Sequence, residues 1–267
     1  MLTGITFGQF IPGNSIFHRL DPRTKVICVL ATAISIIIAS KWYEFALLAA
    51  LTMGLMFFSR LSARLFFGGL RSFWVLLAIT FLVQVLFTPG EVLAGLGWLK
   101  VSREGLVAGG IIFIRLSLLI LVASLLTLTT SPISLTAGLE SLLTPLKRFG
   151  LPAHELAMMM TIALRFIPTL LAEAEIVIKA QQSRGARLNS GGIVKRAKSL
   201  LPLFVPLFAG ALRRAEELAI AMEARCYRGG ANRTRMNSLV FGLPDYITIS
   251  VSLVILTGAA GLKFWRY

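Results

Sequence analysis

The sequence predicts an all-α membrane protein: about five transmembrane helices, with amphipathic cytoplasmic helices set between the fourth and the fifth. Three observations carry this expectation. The 267-residue chain is 56% hydrophobic, with a mean hydropathy of +0.80. Charged residues make up 15% of it, well below the ~25% of soluble domains. Apolar runs approaching the roughly 20 residues of a membrane-crossing helix recur along the chain, and no useful length of β-alternation is found between them.

The elements follow in order. The stretch from Met1 to Asn14 lacks a basic region leading into an apolar core, so no cleaved signal peptide is expected. Residues 1–25 are polar and amphipathic. Val26–Ser40 is the first apolar span, and Phe45–Phe58 returns through the bilayer. Between them, Trp42 and Tyr43 mark a membrane interface. Both spans are short, so their ends are expected to extend into the flanks. The Arg60–Arg71 loop is basic and includes Arg64. Ser72–Thr88 is the third span and Gly105–Thr130 the fourth, joined by a charge-balanced loop, Pro89–Glu104. Tyr246–Leu262 is the fifth. The organisation is a membrane region at 1–130 with about four spans, a cytoplasmic region at 131–244, and a C-terminal transmembrane helix at 245–267.

Charge sets the orientation. The net charge is +15. Fifteen of the twenty-seven Lys and Arg residues lie between Lys147 and Arg235. The basic Arg60–Arg71 loop and this segment belong on the cytoplasmic side, with the N-terminus, under the positive-inside rule. Basic residues flanking spans meet anionic lipid heads, so no nucleic acid is expected as a partner. A short basic tail, Lys263 to Tyr267, runs against the rule.

The cytoplasmic segment reads as helical throughout. Leu135–Phe149 is amphipathic and stops at Gly150, with Pro152 beyond. Ala153–Gln182 carries Leu156, Met159, Ala163, Ile167, Leu170 and Ala174 on one stripe, with a kink expected at Pro168. Val194–Arg225 carries Leu200, Leu203, Leu207, Ala211, Ala215, Leu218 and Met222, with Pro202 and Pro206 bending its first part.

Catalytic and metal-binding patterns are missing. The two histidines, His18 and His154, have no metal spacing. Cys28 and Cys226 suggest neither a disulfide framework nor a metal site. The run Gly192 to Ser199 approaches a phosphate loop, but Ala197 stands where its second glycine belongs, and a polar turn precedes it rather than a strand. No cofactor and no metal are expected. Arg115, inside span four, is the one intramembrane cation a channel or secondary transporter would use; contact with a neighbouring helix is the other reading. A lipid-modifying membrane enzyme would need a cluster of acids or histidines near an interface, which the sequence lacks.

Two short motifs stand out at the tails of the long helices. They are Ser183, Arg184 and Gly185, and Ala224, Arg225 and Cys226. Each has a second arginine three residues on, Arg187 and Arg228. Superposing Arg184 on Arg225 also places Glu175 on Glu216, Ala180 on Ala221 and Gln182 on Glu223. Arginine at a helix C-terminus gains from the dipole, and Gly185 and Gly229 are natural helix stops. One reading is therefore capping. The other is docking, since the rigid arginine fork suits carboxylates and carbonyls in a partner's groove.

With these motifs, the chain resembles the T component, the transmembrane coupling subunit, of energy-coupling factor transporters, the CbiQ-like family. Gly13, Asn14, Ser15, His18, Arg19, Leu20, Asp21, Pro22, Arg23, Thr24 and Lys25 carry the resemblance. So do Thr127 to Pro132, the run Leu164, Arg165, Phe166, Ile167 and Pro168, and the two arginine motifs. It implies an ABC-type importer of vitamins or trace metals in a bacterial or archaeal cell membrane. Two separate ATPase subunits would each accept one coupling helix, through Arg184 and Arg225. A separate membrane subunit would bind the substrate, and ATP hydrolysis would lie on the partners. Cys226 departs from the commoner Ala-Arg-Gly.

Overall fold

The computed structural model describes residues 10–13, 15–59, 61–96, 99–186, 192–229 and 240–264. The chain divides into two units. One holds residues 8–139 and 238–267, the other residues 1–7 and 140–237.

The first unit holds the spans. After α1 (Ile16–Arg19), α2 (Pro22–Ile38) starts on a capped end: the Asp21 side chain accepts from Arg23 N at 2.9 Å, and Pro22 sits at the first helical position, where its missing N–H costs nothing. α3 (Trp42–Ser59), α5 (Trp74–Phe87), α6 (Arg103–Thr129) and α10 (Leu243–Phe264) follow the expected spans; α3 and α10 extend into both flanks, while α5 falls inside its expected range. Among the described residues, α3, α6 and α10 are long and apolar enough to cross a membrane, and α4 (Ala63–Ser72) with α5 makes a fourth if the pair counts as one span bent by 56°. α2 has 17 residues, about 26 Å at 1.5 Å per residue and a little short of the hydrocarbon core.

This unit is packed with its small polar groups inside. Ser35 and Thr24 are fully buried, while Leu30, Ile34, Ile37 and Leu47 are exposed, the arrangement expected when lipid is the solvent. Ser35 Oγ donates a hydrogen bond to Ala31 O at 2.9 Å. Ile36, Phe45, Leu48, Leu118 and Val122 form the central cluster. α5 and α6 approach closely, since a Cβ on Gly109 would stand 3.1 Å from the Phe81 ring.

The N-terminal motif proves to be a polar knot. Ser15 Oγ bonds His18 Nδ1 at 2.6 Å, and His18 Nε2 bonds Ile11 O at 3.0 Å. Lys25 Nζ donates to His18 O at 3.3 Å and to Thr129 O at 3.1 Å. Asp21 N donates to Asp245 Oδ1 at 2.9 Å. These bonds tie the start of α2 to the end of α6 and the start of α10, and buried polar groups demand such partners. At the other end of α2, Arg115 Nη2 donates to Ala39 O at 2.7 Å, with its guanidinium over the Phe45 ring. Arg115 therefore contacts a neighbouring helix and satisfies a terminal carbonyl.

Two connections differ from the expected loops. The 60–71 stretch is largely helix: α4 is strongly amphipathic and pinned by Phe66, 1% exposed, against Leu125 and Leu128. The 89–104 connection holds an antiparallel hairpin, β1 (Val92–Leu96) and β2 (Leu99–Ser102). It is too short to alter the fold class.

The described residues of the second unit are mostly helical. α7 (Pro132–Leu143) enters it and gives way to a 3₁₀ turn, Thr144–Phe149, started by Pro145 and closed by Gly150 at φ +85°. α8 (Ala153–Ser183) and α9 (Ile193–Ala224) follow, 31 and 32 residues long. Pro168, Pro202 and Pro206 all lie inside these helices, which continue through them.

Candidate functional site

α8 and α9 cross at an ion pair. Arg214 Nη2 lies 2.8 Å from Glu173 Oε2, with both side chains roughly one-third exposed. Gly210 makes room there: a Cβ at that position would stand 2.9 Å from Glu173 Oε1. On one side of the crossing, Ile162, Phe166 and Leu170 of α8 face Ala211, Ala215, Leu218 and Met222 of α9 across a groove. Residue numbers fall along α8 as they rise along α9, so the helices run in opposite senses through the contact.

The last four members of the expected stripe on α9, Ala211, Ala215, Leu218 and Met222, therefore face α8. The expected stripe on α8 does not face α9 in the same way: of its members only Leu170 lines the groove, and Ile162 and Phe166 replace Ala163 and Ile167. The face is rotated by one position, because Glu173, absent from an apolar stripe, fixes the phase. α9 also carries a second apolar face, with Leu201, Phe204, Val205, Phe208 and Leu212 all at least 56% exposed. Their spacing puts them on one side of the helix. Met159 and Met160 are exposed on α8. Exposed apolar surface of this extent marks contact with a partner or with lipid.

Each helix ends on an arginine-bearing turn of the same construction. At the end of α8, Gly185 N donates to Gln182 O at 2.9 Å and Ala186 N to Gln181 O at 3.0 Å. At the end of α9, Cys226 N donates to Glu223 O at 2.9 Å and Tyr227 N to Met222 O at 3.0 Å. Both are Schellman motifs, which satisfy the last carbonyls by turning one residue left-handed. Gly185 takes φ +87° and Cys226 φ +55°, the one positive φ on a non-glycine among the described residues. Arg184 and Arg225 occupy the equivalent cap position.

The tips are open. Ser183, Arg184, Gly185, Ala224, Arg225, Cys226 and Arg228 are all exposed. Among the described residues neither Arg184 nor Arg225 has an ion-pair partner. Arg187 lies outside the described residues. Ile193 to Ser199, within the run that approaches a phosphate loop, form the first turns of α9, so that run does not have the shape of a phosphate cradle. His154 Nδ1 pairs with Glu140 Oε1 at 2.9 Å, and among the described residues no three metal-ligating side chains gather.

Sequence reasoning missed the crossing. Glu173 lies eleven residues before Arg184, and Arg214 eleven before Arg225. The two halves of the ion pair thus occupy matching positions on the two helices. Each tip stands about 16 Å beyond the crossing, at 1.5 Å per residue. The signal was present as opposite charges at matching positions, but it has meaning only once the two helices are known to touch.

Comparison with known proteins adds an independent finding. The family profile described as CbiQ, cobalt transport protein, matches residues 13–236. An energy-coupling factor transporter transmembrane protein, EcfT, of Acidaminococcus fermentans is 50% identical over 264 residues, covering 99% of this chain and 98% of the relative. The protein of the same name in Brevibacillus brevis is 48% identical over 269 residues, covering 100% of each. That of Listeria innocua is 46% identical over 266 residues, covering 99% of each.

Proposed function

The chain belongs to the CbiQ family, as a transmembrane component of energy-coupling factor transporters, and from that premise we propose that Arg184 and Arg225 each dock in one of two separate ATPase subunits. The observation that carries this reading is the matched pair of arms. Two helices cross at Glu173 and Arg214, run equally far beyond, and end in the same turn with the same exposed cation, unpaired among the described residues. Two similar ATPase subunits present two similar grooves, and equal arms suit them.

Coupling then follows from the crossing. When ATP draws the two ATPase subunits together, the tips move with them. Motion of the tips changes the angle at the Glu173–Arg214 contact and is passed to the rest of α8 and α9. There Met158, Met159 and Met160 and the Phe204 to Leu212 face meet the membrane subunit that binds the substrate, since methionine-rich surfaces re-pack readily. Residues 131–244 face the cytoplasm, where ATP is, and the substrate is a vitamin or a trace metal. This chain supplies no catalytic group.

The test is the double variant Arg184→Ala with Arg225→Ala. Both side chains are exposed, so membrane insertion should be normal. Copurification of the ATPase subunits and substrate uptake should both be lost. Normal copurification with normal uptake would reduce the two arginines to helix caps.

A further inference from the structure

We propose that the groove between α1 and the C-terminal end of α3 is a binding site for one anionic phospholipid, with its phosphate at Arg19 and Ser62 and an acyl chain on Phe57 and Phe58. The site lies in the membrane unit and does not depend on the docking of the helix tips.

The lining has two kinds of wall. Ile16, Phe57, Phe58 and Leu61 supply an apolar one, with Ile16 62%, Phe57 82% and Phe58 59% exposed. Arg19 and Ser62 supply the polar one. Ser62 precedes α4 as its N-cap residue, and its hydroxyl makes no capping bond. Ser15, also at the groove, is committed to His18 at 2.6 Å, so it is not counted as a donor.

Charge decides which ligand fits. Arg19 is exposed and has no ion-pair partner among the described residues. The acids near this end of the helices are Asp21 and Asp245, both about 95% buried. Asp21 Oδ1 accepts from Arg23 N, and the two oxygens of Asp245 accept from Asp21 N and Gly242 N. Asp21 Oδ1 also lies 3.9 Å from Arg23 Nε, and among the described residues neither carboxylate forms an ion pair with Arg19. Arg64 and Arg71 of the adjoining amphipathic α4 are also exposed and unpaired among the described residues. Arg19, the one charged residue lining the groove, therefore carries positive charge that no ion pair compensates among the described residues.

A free phosphate would satisfy Arg19 and Ser62 but leave the aromatic wall bare. A zwitterionic lipid would bring its own cation to a rim that offers no acid. An anionic phospholipid answers both demands, since basic side chains at the membrane surface attract anionic head groups and the apolar wall takes the acyl chain.

The experiment is native mass spectrometry of the purified full-length chain, titrated with phosphatidylglycerol or phosphatidylcholine of the same acyl composition. One phosphatidylglycerol should bind saturably and in preference to phosphatidylcholine. Arg19→Gln should weaken phosphatidylglycerol about fivefold, the effect of one basic side chain near a surface, and narrow its preference over phosphatidylcholine. Phe57→Ser should weaken binding of the lipid while keeping the head-group preference. Arg213→Gln, on exposed α9 surface, should change neither. Glycerol phosphate alone should not compete. Equal binding of the two lipids, unchanged selectivity in Arg19→Gln, or competition by glycerol phosphate would each overturn the proposal.

Discussion

The tip of α8 and the tip of α9 are the same turn built on different residues. At the first, glycine takes the left-handed position, and at the second cysteine takes it. A Cβ in that region costs about 1 kcal/mol. Yet the two cross-turn hydrogen bonds are the same at both ends, within 0.1 Å. The demand that the last carbonyls be satisfied sets the turn, and the residue adapts to it. What the two tips share is then the position of the arginine relative to the helix end, and that is the feature a docking groove would read.

The most severe way to break the comparison is to remove the arginines singly. A charge-assisted hydrogen bond contributes about 1.5–3 kcal/mol, so Arg184→Ala and Arg225→Ala should each weaken ATPase binding by roughly 10- to 100-fold. Equal arms predict losses of similar size. A pulldown at graded ATPase concentration measures both, and a large loss at one tip with none at the other would show that only one arm docks.

The crossing should give a smaller effect. The Glu173–Arg214 pair is partly exposed, so it contributes at most about 1 kcal/mol. Glu173→Arg or Arg214→Glu alone should leave the ATPases attached but lower uptake per ATP hydrolysed, by up to about fivefold. The double exchange, with each charge on the other helix, should recover most of it. Transport and ATPase rates in reconstituted vesicles provide the ratio.

Smallest is the effect of the turn residues. Cys226→Gly removes the left-handed strain, partly offset by the greater freedom of glycine in the unfolded chain, and should stabilise by roughly 0.5 kcal/mol. Gly185→Ala should destabilise by about 1 kcal/mol. Thermal unfolding in detergent should move by a few degrees, in opposite directions, for the two variants.

Much of this architecture was legible in the sequence. Apolar runs located α3, α5, α6 and α10 to within a few residues, because lipid requires a length that hydropathy reports directly. Gly150 and Gly185 located helix ends, because few other residues take a positive φ. What stayed hidden depends on contact between distant segments. The partner of Asp21 is Asp245, 224 residues away, and nothing near Asp21 announces it. The face of α8 that meets α9 is phased by Glu173, a charge that an apolar pattern discards. α4 reads as a loop from the basic stretch Arg60–Arg71, which includes Arg64. It is a helix because Phe66 anchors it against α6.

The central claim is that each tip meets its own ATPase subunit. Single cysteines at Ser183 and at Ala224, each in a background with Cys28→Ser and Cys226→Ser, place a thiol beside each arginine on exposed backbone. They should be cross-linked in the assembled transporter with a short thiol-to-amine reagent and the products sized. Each single variant should capture one ATPase subunit, and the variant with both cysteines should capture two on one chain. Capture of a single subunit by both tips, or of none, would contradict the account.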